Sequence, residues 1–125
     1  MTMTIHGADI RALLVEDVET LRAALRDMHP ADIAALLEDI EAPEVVRALQ
    51  LLPERLQGVV FGYLTPDAQD EAAHELPRGE LVRLIATMSH DERADLFNRL
   101  PEERQATILP ALAQAEREDI RKLAS

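Results

Sequence analysis

The sequence predicts an all-α fold, a superhelix (α-solenoid) of about ten short antiparallel helices, and three observations carry that expectation. Large apolar residues recur every twelve positions at Met28, Ile40, Leu52, Leu64, Leu76, Met88, Leu100 and Leu112. A second row, eight residues further on, is apolar throughout: Leu36, Ala48, Val60, Ala72, Leu84, Leu96, Ile108 and Ile120. Pro30, Pro43, Pro53, Pro66, Pro77 and Pro101 each follow a member of the first row by one to three residues. A unit of this length suits a helix of about nine or ten residues and a short turn, whereas strands would alternate with a period of about two.

Taken in chain order, residues 1–7 are expected to be a flexible N-terminal segment and 8–125 one helical domain. Ala8 to Val15 and Asp17 to Met28 read as two helices joined near Glu16. From Met28 to Ile40 the apolar residues fall at offsets 0, 5, 8, 9 and 12, close to one face of a helix. First-turn prolines are tolerated in each following unit, because the missing N–H would have no intrahelical partner there. In the helix from about 54 to 64, Gly58 and Gly62 lie four apart and leave a smooth patch for close approach of another backbone. Thr65 before Pro66 and Ser89 before His90 read as N-caps, and Ser89 with Glu92 as a capping box. Acids gather in first turns, as at Asp67, Asp91, Glu92, Glu102 and Glu103, where the helix dipole favours them. Pro110 falls inside the helix that follows Leu100, which is therefore expected to end early or kink.

Composition narrows the function. Hydrophobic residues make up 47% of the 125-residue chain, enough for a core, and aromatics only 2%, which favours helix. The lack of cysteine removes disulfides, thiolate metal sites and cysteine nucleophiles together. No basic region precedes a long apolar stretch at the N-terminus, and the longest mainly apolar segment, Gly58 to Leu64, is too short to span a bilayer. A soluble, cytoplasmic chain is expected. Its formal net charge of −11 repels phosphate backbones and anionic headgroups, so neither nucleic acid binding nor direct membrane insertion is expected, and cations or basic partners are favoured.

No catalytic constellation is visible, and an enzyme is not the reading. The chain has no Gly-rich phosphate loop, no nucleophile elbow and no His-Glu-x-x-His, and its serines are Ser89 and Ser125 alone. His6, His29, His74 and His90 are not paired at helical spacing, and His29 and His90 sit at helix starts, which suits capping or the surface better than metal ligation. Asp91 and Asp95 are different. Four residues apart on one helix face, they repel each other mildly, and a hard divalent cation would offset that repulsion. Magnesium keeps several waters and takes one or two carboxylates, so this pair could form half of a site completed by another surface.

The stretch Leu25 to Ile40, with His29-Pro30-Ala31-Asp32-Ile33-Ala34 and Leu36-Leu37, resembles the opening of the cytoplasmic N domain of MgtE-type magnesium transporters. Asp91-Glu92-Arg93-Ala94-Asp95-Leu96-Phe97, followed by Leu100-Pro101, is similar to that domain's Asp-Asp-x-x-Asp-x-Leu region. The resemblance covers about residues 8 to 124. It implies a helical superhelix followed in the whole protein by paired CBS domains, a connecting helix and a membrane-embedded homodimeric pore, on the cytoplasmic side of the bacterial inner membrane. It also implies a magnesium sensor: at high internal Mg²⁺, ions bridge acids of the N and CBS domains and the pore closes. Asp91 and Asp95 match family acids at that interface, with Mg²⁺ the implied ion. A further family acid is expected where this chain has Val59, while Asp32 matches the motif but is equally explained by its helix start. The alternative is a scaffold like the middle segments of the flagellar motor switch protein FliG, which opens similarly and acts by protein contact without metal sensing. The charged torque-generating helix of that family has no evident counterpart here.

Overall fold

The computed structural model describes residues 5–124, with side chains for 5–114 and for Glu116. Nine helices and no strand are found among the described residues: α1 (Gly7–Glu16), α2 (Val18–Arg26), α3 (Pro30–Leu37), α4 (Ala42–Gln50), α5 (Glu54–Tyr63), α6 (Pro66–Glu75), α7 (Arg78–Ala86), α8 (His90–Arg99) and α9 (Glu102–Ala124). Eight of them are 8 to 10 residues long. The difference from the expected ten lies at the end: α9 runs for 23 residues straight through Pro110, joining the last two expected helices. Pro110 removes one backbone bond, but Ile108 and Leu112 are both buried and anchor the helix on either side of it. Of the N-terminal segment, residues 1–4 lie outside the described residues, and α1 opens at Gly7 behind His6.

Local chemistry sets each helix start. Pro30, Pro43 and Pro66 occupy first-turn positions, while Pro53 and Pro77 stand one step earlier as N-cap residues. The His29 Nδ1 accepts a bond from the Ala31 N–H at 3.0 Å, so this histidine caps α3. Thr65 Oγ1 accepts from Ala68 N–H at 3.3 Å and Ser89 Oγ from Glu92 N–H at 3.4 Å. Only this half of the expected Ser89–Glu92 box forms, because the Glu92 carboxylate lies over Gly62 instead. Asp17 caps α2, and bonds from the Thr20 hydroxyl and then the Thr20 N–H hold its carboxyl below the usual range.

Packing follows a two-row plan. The three richest contacts join second neighbours, α3 with α5, α4 with α6 and α7 with α9, and α5 with α7 and α6 with α8 repeat the pattern. Chain neighbours α1 with α2 and α4 with α5 also touch, and α1 closes onto α4. Both predicted rows line the core. In the first, Leu52 to Leu112 are buried and Met28 and Ile40 partly so. In the second, Ala48 to Ile108 are buried and Leu36 partly so, while the Ile120 side chain lies outside the described residues. A third row of the same period, not singled out above, runs Leu25, Leu37, Leu49, Phe61, Ala73, Ile85, Phe97 and Leu109.

The carbonyls left open at helix ends are met by long polar side chains of later helices. Gln69 Nε2 donates to Phe61 O at 2.9 Å, and Gln105 Nε2 to Phe97 O at 2.8 Å and Leu100 O at 3.1 Å. Arg104 donates to Ala73 O and Leu76 O, and Arg93 to Ala86 O and Met88 O.

The smooth patch on α5 meets another backbone at Gly58 but a side chain at Gly62. A Cβ on Gly58 would stand 2.9 Å from the Thr87 carbonyl carbon and 2.0 Å from its Oγ1, whereas one on Gly62 would meet only the end of the flexible Glu92 side chain. Denaturant unfolding should therefore separate the two glycines. Gly58→Ala is expected to lose about 1–3 kcal/mol through overpacking. Gly62→Ala should be near neutral, or gain up to about 1 kcal/mol of helix propensity. Equal losses would show that Glu92 cannot move aside. Leu76→Ala, in the first row, should cost about 2–5 kcal/mol.

Candidate metal-binding face

Helix α8 presents three different faces. Leu96 is fully buried, Arg93 is tied to the end of α7, and Asp91 and Asp95 are exposed one turn apart. Ser89 starts the helix with an extended backbone, and Asp91 falls in the first turn, where open N–H groups favour its charge. Asp95 lies a turn deeper and gains little from that end. Neither carboxylate makes a hydrogen bond or ion pair among the described residues.

Their lack of partners is informative by contrast. A groove of about 580 Å³ between α4, α5 and α7 also carries acids, but Glu80 accepts from Gln50 Nε2 at 2.7 Å and Glu54 faces Arg83 at 4.0 Å. Asp70 is likewise engaged by Arg99 at 2.9 Å. Asp91 and Asp95 retain free acceptor capacity at hydrated carboxylates, the donor type that magnesium prefers. No group of three or more His, Cys, Asp or Glu side chains among the described residues could hold a metal ion.

Beside the start of α8 lies a groove of about 300 Å³, lined by Gly58, Val59, Gly62 and Tyr63 of α5 and by Thr87, Met88, Ser89 and Glu92. Val59, where the resemblance leads one to expect an acid, is 41% exposed on this groove, and Tyr63 one turn later is 56% exposed. The structure thus brings position 59 to the same side as the beginning of α8 but supplies a hydrocarbon there. Tyr63 was not anticipated. Its ring meets His29 edge-on, with centroids 6.2 Å apart. Asp32, exposed in the first turn of α3, keeps its helix-start explanation. Of the other histidines, His90 is exposed at the first position of α8, and His74 is exposed near the end of α6. No helix among the described residues is long and apolar enough to cross a membrane.

Comparison with known proteins places these features in a family. The profile of the MgtE intracellular N domain matches residues 28–125. Over 92 residues, 74% of this chain, the sequence is 30% identical to the magnesium transporter MgtE of Thermus thermophilus, of which the match covers 20%. The chain thus spans about a fifth of the length of that relative. Helical architecture, twelve-residue rows and family match agree, and the chain belongs to the family of the MgtE intracellular N domain.

Proposed function

We propose that this chain is the regulatory domain of a magnesium transporter, sensing Mg²⁺ on the cytoplasmic side of the bacterial inner membrane through ion-bridged docking to CBS domains of the same transporter. One observation carries the reading beyond family membership: Asp91 and Asp95 stand exposed, one turn apart and without protein partners among the described residues. Those two carboxylates would hold the ion, whose positive charge offsets repulsion between two acidic surfaces. A conformational equilibrium shifts only by differential affinity, and a site split between two faces has high affinity only when they meet. This chain alone, carrying one face, should bind magnesium weakly. Val59 reduces the acid available on the neighbouring helix, which supports fewer bridging ions or weaker coupling than an acid there would give. The role is one of binding and gating, with no catalytic step, inside a homodimeric transporter.

Two outcomes test this. By isothermal titration, millimolar Mg²⁺ should promote association of the chain with the CBS pair of its transporter, and chelation should abolish it. Association that ignores magnesium would reject the reading. The double variant Asp91→Ala, Asp95→Ala should keep its stability within about 0.5 kcal/mol, since exposed sites without partners rarely cost more, yet lose the magnesium-dependent association. A large stability loss would assign these residues a structural role instead.

A further inference from the structure

Glu92 has the spacing to close a reciprocal cap on Ser89, yet only the bond from the Glu92 N–H to the Ser89 hydroxyl forms. Its carboxylate crosses to α5 instead, where both oxygens lie within 3.2 Å of the place that a Gly62 Cβ would take. No donor awaits it there. Among the described residues this carboxylate has no hydrogen bond and no ion pair.

Its surroundings specify what would answer it. The same groove of about 300 Å³ carries Val59 and Tyr63 on its α5 side, 41% and 56% exposed, and none of the residues lining it is a lysine or arginine. Hydrocarbon, aromatic ring and unpaired carboxylate therefore share one small depression. A long aliphatic stem ending in a cation matches all three, because the stem packs on Val59, the cation sits against the Tyr63 ring, and the carboxylate accepts its hydrogen bonds. Guanidinium fits better than ammonium, since it is planar, stacks on an aromatic face while directing paired N–H groups at a carboxylate, and is the more weakly hydrated of the two. The volume lies at the small end of ligand sites and suits one such side chain.

We propose that this groove is a docking site for a single arginine side chain of a protein partner, held by Glu92, Tyr63 and Val59. A free amino acid would bring its own carboxylate to a molecule whose formal net charge is −11, whereas an arginine within a chain does not. Neither magnesium nor Asp91 and Asp95 enter the contact. It thus stands or falls apart from ion-bridged docking.

Heteronuclear NMR of the full chain in metal-free, low-salt buffer provides the test, with N-acetyl-arginine methylamide as the probe for arginine within a polypeptide. Saturable shifts should be confined to the amides around Gly58, Gly62, Tyr63 and Glu92, and should weaken as sodium chloride is added. Glu92→Gln and Tyr63→Leu should each weaken binding about two- to fivefold, while Tyr63→Phe should retain it. Asp67→Asn, which removes an exposed acid at the start of α6, should leave it unchanged. The blocked norleucine analogue, with a stem but no charge, should bind more weakly than the arginine probe. Absence of saturable shifts in the groove, equal binding of the norleucine analogue, or equal losses from Asp67→Asn and Glu92→Gln would overturn the proposal. Tighter binding of free arginine than of the blocked form would overturn the assignment to a protein partner.

Discussion

Burial of a twelve-residue apolar rhythm against the helix two places away is the interaction on which the rest depends. Helices of 8 to 10 residues are too short to persist alone in water, where lengths below about 12 to 15 are marginal. They survive because their apolar stripes are buried against neighbouring helices. The caps, prolines and glycines determine where a helix starts and how close it lies to its neighbours. They shape the stack, but they could not hold it together. Even the acid pair on α8 inherits its geometry from this packing, since Leu96 fixes the helix and thereby turns Asp91 and Asp95 outward.

Most of the architecture was legible because one period governs it. Spacing identified the rows at Leu52 and Val60 and their successors, and the local motifs identified Thr65, Ser89 and His29 as helix starts. Gly58 pointed correctly to a close backbone approach, made by Thr87. The misjudgements arose where non-local packing outweighs a local rule. Pro110 leads one to expect an early end or a kink, and the early end does not occur, because burial of Ile108 and Leu112 on the same element keeps α9 continuous. Glu92 has the spacing for a reciprocal cap and is drawn instead to the space above Gly62, a residue far away in sequence. Arginine and glutamine bonds to distant helix ends were invisible for the same reason: Arg104 reaches Ala73 and Arg99 reaches Asp70 across about thirty residues.

The candidate site was legible to a lesser degree. Spacing alone placed Asp91 and Asp95 on one face, and the structure leaves both exposed and, among the described residues, unpaired. The setting of Val59 and Tyr63 was not readable, because it requires knowing that the middle of α5 faces the turn before α8. A groove formed by Val59 and Tyr63 of α5 with Ser89 and Glu92 at the start of α8 is a surface that no single helix reveals.

The arginine clamps have one more consequence. Arg47 reaches back to Leu14 O at 3.3 Å, and Arg93 and Arg104 each bind two helix-end carbonyls, so several of the thirteen cationic residues are drawn into seams between helices. With 24 carboxylates against 13 Lys and Arg, the outward field is anionic. Such a shell gathers a diffuse atmosphere of mobile counter-ions, enriched in divalent species, before any particular one is captured.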